Sequence, residues 1–204
     1  MTSSVKEGYK IRFVPWDPKF APVIFEWYYD ISYKLFFREM DAPYTVDDLK
    51  KFDLIMGRAG VRLFMVLDKE TSTPIGMVTH YCLKGKAGVN RIGIMMDKKH
   101  QHKTYTIEAL IILGDYLYNR MGFNKLVIEF LAKDSHIQRI AEKGGWKYEA
   151  TLVSETVVDG VRVDEVRYYM FKDTYLELYG NYFEVLELQK SPPTPLPRQG
   201  PLSG

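Results

Sequence analysis

The stretch NRIGIMMDKKHQHKTYTIEAL, residues 90–110, decides the fold. It begins as an apolar run, passes through a short basic turn at residues 98–103, and opens a segment with helical periodicity. A strand, a tight turn and a helix bring main-chain amides and the positive end of a helix dipole around one point, the standard way to hold a phosphate. Such turns ordinarily use glycine so that the backbone can approach the anion closely. Here Thr104, Tyr105 and Thr106 stand instead, and β-branched threonine restricts the chain. Two readings are open. Either the threonine hydroxyls with His100, His102 and Lys103 address a phosphate directly, or the segment is a solvated basic turn that caps a helix.

Upstream, YKIRFVPWD (Tyr9–Asp17) alternates like a first strand and stops at prolines. Residues 22–40 are dense in aromatics at helical spacing, and a second helix follows, with Thr45 as N-cap and Asp47 and Asp48 in its first turn. VRLFMVLD and PIGMVTHYCL are strands joined by the turn-rich KETSTP. Downstream, residues 107–121 place Ile107, Leu110, Ile111, Leu117, Tyr118 and Met121 on one helical face. KLVIEFL is a buried strand, and residues 135–143 are a short helix closed by Gly144 and Gly145. Two long strands then flank Asp159-Gly160, a strong hairpin signal. The expected order is β-α-α-β-β-β-α-β-α-β-β. An N-terminal extension (residues 1–9) precedes one domain (residues 10–172). An amphipathic helix interrupted by Gly180 (173–190) and a Pro-rich tail (191–204) follow it.

At 204 residues the chain is long enough to bury a core without disulfides or metals. A net charge of +2 gives no reason to expect a nucleic-acid or membrane partner. A single cysteine, Cys82, excludes an internal disulfide and fits a reducing compartment, and four scattered histidines offer no metal-ligand spacing. With neither a signal-peptide core nor a membrane-length apolar run, a cytoplasmic protein is expected.

Four stretches in this order resemble the GNAT superfamily of acetyl-CoA-dependent N-acetyltransferases, nearest to the branch that acetylates ribosomal-protein N-termini. They are IRFVPWDP, PIGMVTHY, IGIMMDKKHQHKTYTIEAL, and AKDSHIQRIAEKGGWKYEATL with DGVRVDEVRYYMF. The resemblance implies an α/β fold with a mixed, splayed β-sheet flanked by helices, here with an appended C-terminal helix and Pro-rich tail. It implies that acetyl-CoA lies in the splay, its pantetheine arm along Ile94, Met95 and Met96 and its pyrophosphate on Gln101, His102, Lys103, Thr104, Tyr105 and Thr106. Gln101 matches the family's turn, whereas Thr104 and Thr106 replace its small residues.

Family members commonly place Asn after the strand matched by KLVIEFL, with a Ser or Tyr beyond it to serve the leaving thiolate. Asp134, Ile137 and Ala141 occupy those places, so Asp134 is carried over to the cofactor set and both hydroxyls are missing. His80 and His136 are the substitute candidates for proton transfer, and for each a packed or surface histidine is the bland reading. Trp27, Tyr28 and Tyr33 lie on the helix expected to border the acceptor cleft.

Two functions follow. The first is an N-acetyltransferase moving acetyl to a primary amine, a peptide N-terminus or a small molecule. The second is a catalytically silent domain kept as a structural or interaction module, for example within a larger assembly such as a virus particle. In either case the apolar helix and tail after residue 172 are expected to attach to the protein's own domain, to another chain, or to a second copy.

Overall fold

The computed structural model describes residues 7–30, 45–58, 60–82, 88–101 and 104–190. Seven strands form one mixed sheet in the order β1-β2-β3-β4-β5-β7-β6. In sequence the elements are β1 (Ile11–Pro15), α1 (Ala21–Tyr29), α2 (Phe52–Arg58), β2 (Arg62–Asp68), β3 (Pro74–Cys82) and β4 (Val89–Met96). Then follow α3 (Tyr105–Gly114), β5 (Lys125–Leu131), α4 (Ser135–Lys143), β6 (Lys147–Val158), β7 (Val161–Phe171), α5 (Lys172–Tyr179) and α6 (Tyr182–Lys190). That is the order expected from the sequence. β4 and β5 are the parallel pair, which α3 makes possible by carrying the chain back across the sheet.

Strand alternation divides the core into two layers. Met65, Met77 and Met95 face α1, α2 and the turn before it, packing with Ile24, Trp27, Leu49 and Phe52. Their neighbours Val66, Val78 and Ile92 face the opposite way, against Ala109, Ile112, Leu113 and Leu117. Among the described residues, the buried strand residues of the α1/α2 layer come from β2, β3 and β4, with Val14 of β1 packed at its edge.

Local chemistry explains the element ends. The Thr45 hydroxyl accepts from Asp48 N while the Asp48 carboxylate accepts from Thr45 N at 2.8 Å, a capping box that starts a six-residue 3₁₀ turn ahead of α2. At the β6–β7 hairpin Asp159 and Gly160 have φ of 52° and 79°, the pair of left-handed residues that a two-residue turn between twisted strands requires.

Two expectations are corrected. Of the helix expected over residues 22–40, α1 ends at Tyr29 and residues 31–44 lie outside the described residues. On the face assigned to residues 107–121, Ile107 and Met121 are 47% and 50% exposed. The cause at the far end is a change of pitch, since Asp115–Arg120 winds as a π-helix and turns the following residues off the α-helical phase. The C-terminal amphipathic segment forms two helices, α5 and α6, with the interruption at Gly180–Asn181 where glycine was expected to place it, and both pack on the chain's own domain. Tyr175, Phe183 and Leu186 are buried there, and the Tyr175 hydroxyl donates to Ile111 O at 2.9 Å. The tail, residues 191–204, lies outside the described residues. Among the described residues no helix is long and apolar enough to cross a membrane.

Candidate functional site

The pairing of β4 with β5 runs from Val89↔Lys125 to Ile92↔Ile128 and stops. β4 nevertheless continues to Met96, still paired on its other edge with β3 through Gly76↔Met96. β5 continues to Leu131, still paired with β7. Past Ile92 the two strands therefore diverge, and Gly93–Met96 turn one edge of backbone donors and acceptors into the slot between them, with no strand partner there among the described residues. An extended chain with alternating amide groups fits such an edge, as an added strand would. Ile94, Met95 and Met96, expected along the pantetheine arm, lie on this stretch of β4.

The slot leads to the turn. Asp97 N donates to Ile75 O and His100 N to Asp97 O at 2.7 Å, which bends the chain back toward α3. Gln101 Nε2 donates to Met96 O at 3.0 Å, so this side chain holds the turn against β4. The His100 ring packs edge-on against Tyr105, whose hydroxyl donates to Asp68 at 3.2 Å. Burial, and then that hydrogen bond, push the Tyr105 pKa upward.

Thr104 is the N-cap of α3, yet its hydroxyl makes no capping bond to the helix. It accepts instead from Lys10 Nζ at 3.1 Å, and the same ammonium lies 5.8 Å from the centre of the Tyr105 ring. Among the described residues the first amides of α3 are thus left without a side-chain cap, beside an ammonium from a distant part of the chain. Both features suit an anion. Thr106 is half-buried on the first turn, while His102 and Lys103 lie outside the described residues. Glu108 points elsewhere: its carboxylate accepts from Lys10 N at 2.9 and 3.2 Å and from the Tyr182 hydroxyl at 2.9 Å. It ties β1, α3 and α6 together.

On the other side of the slot, Asp134 is the N-cap of α4 and accepts from Ile137 N at 3.2 Å. His136 is the second residue of that helix. Ile137 is 41% exposed and Ala141 packs on the core.

His80 lies on β3, buried between the rings of Phe64 and Tyr116, with Nδ1 3.4 Å from Asn90 Nδ2 and, among the described residues, Nε2 without a hydrogen-bond partner. Burial, aided by the Arg62 charge, lowers its pKa to about 4, so it is neutral at ordinary pH. Trp27 is a core residue, Tyr28 packs at the edge of the same layer, and Tyr33 lies outside the described residues.

The sequence reading passed over the group closest to the vertex of the splay. Glu129 is the first β5 residue beyond the last β4–β5 pair, and its side chain is 2% exposed. Arg91 on β4 and Arg167 on β7 flank it, each in a salt bridge with its carboxylate. Register puts Arg91, Glu129 and Arg167 on the face that α1 and α2 cover farther along the sheet. The one available signal was a lone charge inside the apolar strand KLVIEFL.

Comparison with known proteins agrees with the fold. The sequence matches the family model described as Acetyltransferase (GNAT) domain over residues 10–147. Among solved structures, a spermidine N-acetyltransferase from Vibrio cholerae in complex with CoA and spermine superposes with a TM-score of 0.72 at 18% identity, covering 82% of this chain and 98% of that one. A GCN5-related N-acetyltransferase from Brucella melitensis gives a TM-score of 0.70 at 19% identity, covering 90% and 86%. At such identities the likeness is one of fold. No curated protein matches the sequence.

Proposed function

Because the chain belongs to the GNAT acetyltransferase family, we propose that it transfers acetyl from acetyl-CoA to the primary amine of a small molecule or a peptide N-terminus, the latter being the acceptor of the ribosomal-protein branch it resembles. The observation that carries this reading is the end of β4–β5 pairing at Ile92↔Ile128, while β4 runs on to Met96 with one edge open toward the uncapped start of α3. Bound acetyl-CoA supplies the activated acetyl group. Gly93–Met96 would hold its arm by main-chain hydrogen bonds, and the α3 amides with Lys10 and Lys103 would hold the pyrophosphate.

The acceptor nitrogen arrives at the vertex from the α1/α2 face, over Glu129. There the C–N bond forms and the C–S bond breaks. The proton lost by nitrogen passes to water and the departing sulfur takes one up. Neither Ile137 nor Ala141 can donate it. Of the two histidine candidates, His80 is enclosed by the core, which leaves His136 at the mouth of α4 as the side chain to test.

Calorimetry with CoA and acetyl-CoA, followed by thiol release with a panel of amines, tests the proposal. Lys103→Ala and Lys10→Ala should each weaken CoA by about 1 kcal/mol, the scale of one charge-assisted contact. No heat with CoA would remove the cofactor site. The silent-module reading rests on the missing hydroxyls at Ile137 and Ala141, and it requires CoA without thiol release for any amine.

A further inference from the structure

The acceptor side of the splay carries a charge arrangement that bears on which amine is taken. Arg167 is anchored by a single bond, Nε to Glu129 Oε1 at 2.6 Å. Among the described residues its Nη1 and Nη2 make no hydrogen bond, and its side chain is 24% exposed. A guanidinium fixed by Nε with its two-pronged end unspent matches the planar geometry of a carboxylate. Register places it well. Arg167 is the cross-strand partner of Glu129, so its Cα lies roughly one strand spacing, about 5 Å, from the vertex of the splay.

The carboxylates described on the same face are buried or paired. Glu129 is almost wholly buried and shared with Arg91, whose guanidinium also lies 5.5 Å from the centre of the Tyr81 ring. Glu165, on the same face of β7, is fully buried. Glu149 pairs with Lys125 at 2.5 Å. A polycation would need reachable carboxylates, and among the described residues this face offers guanidinium instead.

We propose that Arg167 selects the acceptor by receiving a carboxylate that the amine itself carries a few bonds from its nitrogen. The chemistry fits a free amino acid or a peptide whose N-terminal residues are acidic, and it disfavours polyamines. The inference rests on the acetyl-transfer reading and deepens it.

The test is steady-state thiol release from acetyl-CoA by the full chain with matched acceptors: alanine against alaninamide, an N-terminal tripeptide with aspartate in second place against its asparagine counterpart, and spermidine. One pair should show kcat/KM about tenfold or more in favour of its carboxylate member, the scale of a charge-assisted contact, and which pair does so identifies the source. Spermidine should rank below that member. Arg167→Gln should bring the ratio close to one, and Arg167→Lys, which keeps the charge but loses the fork, should restore part of it. Because the readout is a ratio within one protein preparation, a general loss of folded protein does not imitate it. A ratio near one in the parent protein, a ratio unchanged by Arg167→Gln, or spermidine as the best acceptor overturns the inference and leaves acetyl transfer standing. CoA binding with no acceptor turned over overturns both.

Discussion

Replacing His80 by phenylalanine is expected to flatten the acid limb of the stability profile. The ring lies between Phe64 and Tyr116 with its Nε2 unpaired, and burial lowers its pKa from 6.5 to about 4. In the unfolded chain it titrates near 6.5, so between these values the unfolded state binds a proton that the folded state refuses. This group's contribution is therefore fully present above about pH 6.5 and declines as pH falls toward 4. A shift of 6.5 minus about 4, at about 1.36 kcal/mol per unit, sets a ceiling of roughly 3 kcal/mol; by pH 5 roughly 2 kcal/mol has gone. Carboxylates titrate in the same range, so the comparison must be between proteins. Urea unfolding at pH 7, 6 and 5 should show the parent losing about 2 kcal/mol more than His80→Phe over that interval. The variant's absolute stability can move either way with ring fit, but the difference in slope cannot. Equal slopes would refute the picture of an enclosed neutral histidine and reopen His80 as a titrating group.

Two further changes probe the frame that holds the slot. A Cβ on Gly76 would sit 2.4 Å from Met95 O and 2.6 Å from the Met96 sulfur, so Gly76→Ala must push β4 away from β3 at the cofactor strand. Its cost is expected at about 2 kcal/mol in urea unfolding, with weaker CoA binding by calorimetry, and unaltered binding would show that the open edge of Gly93–Met96 is not used. Tyr182→Phe removes the hydroxyl that donates to Glu108 at 2.9 Å and should cost about 1 kcal/mol. No loss would mean that α6 is not held against α3.

What the sequence disclosed was mostly local. The Thr45 N-cap with acidic residues behind it, the Asp159-Gly160 hairpin and the strand–turn–helix around residue 100 are each written within a few residues, and each is found in the structure. The contacts that define the site are not local. Lys10 meets Thr104 across 94 residues and Arg167 meets Glu129 across 38, through the register of strands whose neighbours no periodicity announces. The misplaced face of residues 107–121 has a different origin, because a π-helical stretch changes the residues per turn and no composition rule marked it. His80 drew notice for its chemistry alone, and its alternation on β3 points it into the α3 layer.

The missing glycines of the turn can now be weighed. Glycine serves a phosphate cradle in two ways, by accepting left-handed dihedrals and by letting the backbone come close. The first is not needed here: Thr104 has φ of −64°, and among the described residues the non-glycine positive φ values fall at Ser72, Ser154 and Asp159. Threonine therefore stores no backbone strain at the cap. The second is a matter of where the side chain goes, and the Thr104 hydroxyl is drawn to Lys10 and makes no capping bond to the α3 amides. The N-terminus keeps its open donors and gains an ammonium from the first strand. Close approach is exchanged for charge, and electrostatic attraction acts over a longer distance than a main-chain contact. A turn built this way should depend on ionic strength more than a glycine-lined one, because a screened ammonium supplies part of what glycine would give by contact.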